Sequence, residues 1–280
     1  MSGVANISFW FYEQHAAGTF MGVRIKAVLY QERTAFQDLA IVETEDFGRA
    51  LVLDGVLQTT ERDEKFYHEM LAHVPLCAHP APQRVLVIGG GDGGLVREVL
   101  KHPTVERVTM VEIDRAVVDA CRKYLPFLSC SLDDERVDLV FEDGIAYVAR
   151  SAPESFDVIL VDSTDPGGPS EGLFSGSFYR DCYRALKEGG YLACQTEEPF
   201  FRPQAMQNAY RAVASIFPVT RLFISAVPVY SAWFWTFTVG SKMGDDPAEV
   251  RSAPPTGTVY YTPEVHRAAF VLPPFIRDLL

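Results

Sequence analysis

The stretch Val161-Asp162-Ser163-Thr164-Asp165-Pro166 sets two carboxylates three residues apart, directly after an apolar run, Phe156–Val161, that reads as a strand. On a loop at a strand's carboxyl end both project into one crevice, where carboxylates bind metal, exchange protons or neutralise a cation. No histidine or further acid follows at a metal-like spacing, so no metal is expected. The loop continues as Gly167-Gly168-Pro169-Ser170-Glu171, a glycine- and proline-rich segment suited to covering a ligand.

A second constellation lies upstream. Val85-Leu-Val-Ile-Gly-Gly-Gly-Asp-Gly-Gly94 runs from a strand into a glycine turn and then a helix, and Gly89, Gly91 and Gly94 satisfy G-x-G-x-x-G. Glycines let the backbone turn sharply and lie against a ligand. Glu112 ends the next strand about 20 residues on, where an acid accepts hydrogen bonds from both ribose hydroxyls. Asp143-Gly144 follows the third strand, where such folds hold the adenine amino group. Together the three point to an adenosyl ligand. Asp92 inside the turn argues against a pyrophosphate, which needs free amides and positive charge, and suits a cationic sulfonium.

These residues require a particular frame. From Gly22 to Thr60 the chain reads as short antiparallel strands (Val23–Tyr30, Asp38–Thr44, Arg49–Leu53 and Val56–Thr60), with Asp54-Gly55 as a hairpin turn. Thr60-Glu61-Arg62-Asp63 reads as a threonine-capped helix start, for a helix carrying Phe66, Tyr67, Met70 and Leu71 and ending near the prolines at 75, 80 and 82. Beyond Pro82, strands apolar throughout alternate with helices, which implies a parallel sheet covered on both faces. Thr220–Val227 and Trp233–Gly240 follow one another without a helix and should pair antiparallel at one edge. The expected fold is α/β: a Rossmann-like, methyltransferase-type sheet with an antiparallel C-terminal hairpin, behind a small antiparallel β domain. The expected division is residues 1–66 and 67–280. Trp233, Phe234, Trp235 and Phe237 are read mostly as core.

Composition fits this frame. The chain has 280 residues, 48% hydrophobic and 22% charged, with a net charge of −12. That charge disfavours nucleic acid and anionic membranes as partners and favours cations. Five scattered cysteines with no C-x-x-C pair fit a reducing compartment. With no signal-peptide pattern and no apolar run of about 20 residues, the expected location is cytoplasmic.

The sequence resembles the spermidine synthases, the polyamine aminopropyltransferases, along almost its whole length. The resemblance rests on Phe36-Gln37-Asp38, the run Leu53 to Glu64, Tyr67-His68-Glu69-Met70, Ile88 to Gly94, Val111-Glu112-Ile113-Asp114, Asp162 to Pro166, and His266-Arg267-Ala268-Ala269-Phe270. It implies transfer of an aminopropyl group from decarboxylated S-adenosylmethionine, a co-substrate, to putrescine, giving spermidine and methylthioadenosine without a cofactor. By position it implies Asp162 as catalytic aspartate, Asp165 as its partner at the acceptor, and Tyr67 and Tyr230 lining the diamine channel. His68 and Asp92 fall around the donor's aminopropyl end, while Gln37, Glu112, Asp143, Gly144 and Pro169 fall around methylthioadenosine. Gln195 and Glu197 match a segment near the acceptor's distal end. A homodimer or homotetramer is implied as well. After Tyr230 the chain reads Ser231-Ala232-Trp233-Phe234 and departs from the family, so acceptor choice is the least transferable property. A methyltransferase using intact S-adenosylmethionine shares the nucleoside half without requiring the Asp162/Asp165 pair. A non-catalytic polyamine- or nucleoside-binding homologue would bind without turnover.

Overall fold

The computed structural model describes residues 8–230 and 234–280, the side chain of Pro169 excepted. Strands β1 (Phe9–Ala16), β2 (Thr19–Arg33), β3 (Asp38–Thr44), β4 (Arg49–Leu53) and β5 (Val56–Thr60) form an antiparallel meander in chain order. At the Asp54-Gly55 turn both residues have positive φ, 48° and 79°, the geometry that matches a tight hairpin to strand twist.

Helix α1 (Glu64–Ala78) leads into the second sheet. The expected threonine cap is replaced by a different tie. Thr60 donates to Asp63 Oδ1 at 2.5 Å and the Val229 amide donates to Asp63 Oδ2 at 2.7 Å, pinning the helix entry to a distant loop. Pro75 lies inside α1, and the helix runs on to Ala78.

The second sheet contains β6 (Arg84–Gly89), β7 (Arg107–Glu112), β8 (Val137–Phe141), β9 (Phe156–Asp162), β10 (Leu186–Gln195), β11 (Val219–Ala226) and β12 (Phe234–Ser241), in the order β11-β12-β10-β9-β6-β7-β8. Strands β6 to β10 are parallel and β11 pairs antiparallel with β12 at one edge, as expected from the sequence; β12 also pairs antiparallel with β10, which joins the hairpin to the parallel strands. Trp233, expected to open the last strand, lies outside the described residues. The crossovers are α2 (Gly94–Val99), α3 (Arg115–Tyr124), α4 (Pro126–Ser129), α5 (Gly144–Arg150), α6 (Gly176–Ala185) and α7 (Pro203–Ala214). Helices α8 (Pro263–Ala269) and α9 (Pro274–Arg277) follow the last strand.

Successive residues of β6 and β9 enter different cores. Val85, Val87, Val158 and Leu160 pack with residues of α1 and α2, while Leu86, Ile88, Ile159 and Val161 pack with Phe178, Tyr179 and Cys182 of α6. Burial on both faces, about 1.5–3 kcal/mol for each large aliphatic side chain, is why these strands are apolar throughout. The chain runs from β6 outward to β7 and β8, then returns to β9 on β6's other side. That reversal places the sheet's topological switch point between the carboxyl ends of β6 and β9, where open α/β sheets bind ligands.

Candidate active site

Gly89 and Asp162 are register partners at that switch point, so the glycine turn and the aspartate loop meet there. The Gly90 amide donates to the Asp162 carbonyl at 2.9 Å. Gly89 has φ +79°, and a Cβ on it would sit 2.2 Å from the Asp162 carbonyl oxygen. A Cβ on Gly94 would fall 2.4 Å from His68 Cε1. Glycine is required at both places by close approach of other groups. Around them opens a cavity of about 250 Å³.

At its reacting end, Tyr67 of α1 donates to Asp162 Oδ1 at 2.8 Å. Burial raises the Tyr67 phenol well above its ordinary range, with the Asp162 charge adding to it, so it stays a donor. Asp162 Oδ2 is buried without a hydrogen-bond partner among the described residues. Burial raises the Asp162 carboxyl to about 6, with the His68 charge opposing and the Asp92 charge reinforcing the shift. His68 Nδ1 lies 2.8 Å from Glu64 Oε2 and its Nε2 lies 3.5 Å from Asp92 Oδ1. Burial opposes charge on this imidazole, but Asp92 and Glu64 outweigh it and carry its pKa to about 10. Arg97 holds Glu64 in turn at 2.7 Å.

His68, Asp92 and Asp162 bring ligand-type atoms within 4.8 Å of one another. An imidazolium whose two nitrogens face carboxylates donates rather than ligates, so the cluster has the chemistry of a cation and proton site. If Asp162 takes a proton from a bound ammonium, kcat/KM for the acceptor should fall about tenfold per pH unit below about pH 6, because the active form is the carboxylate. It should be flat from there toward pH 10, because the acceptor enters protonated. A pH profile at saturating donor checks both limbs, and a continuous rise to pH 10 would instead mean that free neutral amine is the substrate.

At the end where the sequence leads one to expect the nucleoside, Glu112 closes β7, and its Oε1 accepts the Asp114 amide at 2.8 Å. Burial raises its carboxyl to about 7 against that hydrogen bond. Asp143 caps α5 through Ile145 N at 2.8 Å. A Cβ on Gly144 would meet Ile88 Cγ2 at 2.5 Å. Gln37 lines the cavity while its Nε2 donates to Asp114 Oδ2 at 3.0 Å, joining the N-terminal sheet to the start of α3. The side chain of Pro169 lies outside the described residues.

At the far end, Asp165, Glu197, Gln195, Tyr230 and Trp235 line the cavity. Gln195 is committed to backbone: it donates to the Ser163 carbonyl at 3.2 Å and accepts the Glu197 amide at 3.0 Å. Tyr230 donates to the Gln58 carbonyl at 2.6 Å, so it presents its ring to the cavity. Of the aromatic strand, Phe237 is core and Trp235 packs on Tyr230 with ring centroids 4.6 Å apart.

Several lining residues had no sequence signal as site groups, Glu13, His15, Glu198 and Arg202 among them. Glu13 and His15 come from β1, a strand that the sequence pattern does not reveal, and Arg202 precedes α7. Glu13 accepts the Leu57 amide at 2.7 Å, and burial raises its carboxyl to about 7.

Residues 64–251 match the spermine/spermidine synthase domain, and residues 9–61 match the spermidine synthase tetramerisation domain. The chain is 52% identical to a polyamine aminopropyltransferase of Moorella thermoacetica, covering 97% of this chain and 96% of that protein. It is 50% identical to that of Shouchella clausii, covering 98% and 100%. A crystal structure of a spermidine synthase in complex with the transition state analogue AdoDATO superposes with a TM-score of 0.92 at 40% identity, covering 97% of this chain and 94% of that one. The spermidine synthase of Thermotoga maritima superposes with a TM-score of 0.89 at 38% identity, covering 97% and 93%.

Proposed function

The chain belongs to the spermine/spermidine synthase family, and from that premise we propose that it transfers the aminopropyl group of decarboxylated S-adenosylmethionine to putrescine, with Asp162 as the base. The observation that carries the assignment of Asp162 is its unequal pair of oxygens: one is held by Tyr67, the other is buried and without a partner among the described residues.

The acceptor amine has an ordinary pKa of about 10, so roughly one molecule in a thousand is neutral at pH 7, and using that form alone costs about 4 kcal/mol. A carboxylate within reach removes the proton as the nitrogen is delivered. The nitrogen then attacks the methylene beside the sulfonium, and the C–S bond breaks with its electron pair going to sulfur. Neutral methylthioadenosine departs, and the proton rests on Asp162. The leaving group is good, so alignment and a proton acceptor are the main demands on the protein. Tyr67 orients Asp162, and the His68 imidazolium keeps it ionised in a buried setting. Glu112, Asp143, Gly144 and Gln37, with Pro169, are assigned to the nucleoside. Asp165, Tyr230 and Gln195 are assigned to the acceptor channel, with Gln195 acting through the Ser163 backbone. No cofactor enters this scheme.

The experiment is methylthioadenosine release from decarboxylated S-adenosylmethionine with a panel of amines. Turnover should be fastest with putrescine. Methyl transfer from intact S-adenosylmethionine with no methylthioadenosine release would overturn the reading.

Donor choice follows from Asp92. The carboxylate of intact S-adenosylmethionine would meet Asp92 at close range, whereas the decarboxylated donor presents only an ammonium. Asp92→Asn should narrow the binding preference between the two donors by about tenfold or more. An unchanged ratio of dissociation constants would refute the electrostatic account.

Residues 1–66 and 67–280 are proposed as the two domains. Assembly as a homodimer or homotetramer is proposed for the first of these, supported by the tetramerisation-domain match and by exposed Phe9, Trp10, Tyr12 and Phe20 on its sheet. A cytoplasmic location is proposed from the unpaired cysteines, four of them buried. Among the described residues no helix is long and apolar enough to cross a membrane.

A further inference from the structure

The outer end of the cavity brings together carboxylates from three parts of the chain: Glu13 on β1, Asp165 after β9, and Glu197 and Glu198 after β10. Two of the four are already engaged by backbone. Glu13 accepts the Leu57 amide, and Glu198 accepts the amides of Phe200 and Phe201 at 2.6 and 2.7 Å. Asp165 and Glu197 share a different partner. Arg202 Nη1 lies 3.4 Å from Glu197 Oε1 and 3.8 Å from Asp165 Oδ2. Glu197 is almost fully buried, whereas the Arg202 side chain is 41% exposed, so the guanidinium stands at the mouth and reaches inward.

We propose that Arg202 selects acceptors by charge: it occupies Glu197, a buried carboxylate lining the channel, and so excludes an amine carrying a third cationic nitrogen. This rests on the acceptor assignment made above. A diamine needs one anion for its distal ammonium, and Asp165, the more loosely held of the pair, supplies it. A triamine would have to displace Arg202 from Glu197 or leave its third ammonium opposite a guanidinium, which is selection by repulsion. Burial supports this division. It raises the Glu197 carboxyl to about 8 even beside Arg202, with Asp165 adding to the shift and Arg202 opposing it, so this acid holds a charge only against a cation in direct contact. The device has a use in the reaction itself. Spermidine, the product, is a triamine made in the same channel, and a site that rejects it as an acceptor stops after one transfer.

The test compares kcat/KM for spermidine and putrescine as acceptors in wild type, Arg202→Gln and Arg277→Gln. The last removes the same unit of charge at a residue that is two-thirds exposed and away from the cavity. Wild type should favour putrescine. Arg202→Gln should raise the spermidine-to-putrescine ratio about tenfold or more, chiefly through KM for spermidine, and Arg277→Gln should leave it unchanged. An unchanged ratio in Arg202→Gln, or an equal rise in Arg277→Gln, overturns the proposal. A wild type that already prefers spermidine overturns the acceptor assignment instead, and this is visible before any substitution is made. Should Arg202→Gln not fold, Arg202→Met removes the charge with the same expected rise in the ratio, and Arg202→Lys serves as the charge-conserving control. In the lysine variant the charge is kept and only the side chain changes, so selection by charge predicts a ratio close to wild type, and a rise of about tenfold with the ammonium in place refutes it.

Discussion

Asp162→Asn is expected to lower kcat by about 10²–10⁴-fold, the usual contribution of a positioned general base, while the dissociation constant of the donor stays within about tenfold. The substitution keeps the shape of the side chain and an oxygen to accept from Tyr67, whose hydroxyl lies 2.8 Å from Oδ1. What it removes is the capacity to take a proton at a site where burial has placed the carboxyl near 6. Two readouts separate this from a structural defect. Donor titration by calorimetry should show near-normal binding, because the nucleoside contacts proposed for Glu112 and Asp143 lie on other strands' ends. The residual rate should lose the limb near pH 6 and climb with pH toward the pKa of the amine, as free neutral amine becomes the only reactive form. A variant within tenfold of wild type would mean that the proton leaves by another route and that Asp162 merely neutralises charge.

Gly89→Ala should abolish donor binding and also weaken the fold. Its backbone sits at φ +79°, a conformation costing an L-residue about 1–2 kcal/mol. The new methyl would also lie 2.2 Å from the Asp162 carbonyl oxygen, and forcing the strands apart adds about 1–3 kcal/mol. Together these predict a fall in Tm of roughly 4–20 °C. Gly189→Ala isolates the first contribution. That glycine has φ +74°, and an added methyl would meet nothing within 4 Å, so the variant should lose only roughly 2–8 °C and bind donor normally. The two effects of Gly89→Ala arise together because the same carbonyl both receives the Gly90 amide and leads into the catalytic loop. Equal melting losses in the two variants, with donor binding intact in both, would show that the glycine turn and the aspartate loop are not in contact.

Much of the frame was legible locally. The apolar run Val85–Ile88 is a strand because both of its faces are buried, and the glycines after it turn because they adopt backbone angles that other residues resist. Arg115–Tyr124 is a helix over the range its periodicity implied, capped by Asp114 through the Ala116 amide. Strand β1 shows where this reasoning fails. In Phe9–Ala16 the one buried residue is Glu13, while Phe9, Trp10 and Tyr12 are exposed. A pattern of exposed aromatics around a buried acid inverts the rule by which strands are recognised. The inversion has a cause in three dimensions: one face of the strand looks into the cavity, where an acid can accept the Leu57 amide. The threonine cap expected at Thr60 failed for a related reason, since Asp63 found a partner in Val229, far along the chain.

The kinds of chemistry available to this protein were determined by the sequence alone. A glycine turn after an apolar strand, an acid ending the next strand, and paired aspartates after a later one specify a nucleoside site beside a proton acceptor. Each of these signals is local, because strand, turn and helix are set by the burial and backbone preferences of neighbouring residues. The tertiary structure decided the charge states and the boundaries of the channel. His68 is an imidazolium because Glu64 and Asp92 flank it, and the Asp162 carboxyl is raised only to about 6 because burial and His68 oppose each other. Arg202 closes the outer end because β1, the loop after β9 and the segment after β10 converge there. Electrostatic coupling falls with distance through space and grows as water is excluded, and neither quantity exists until the chain has folded.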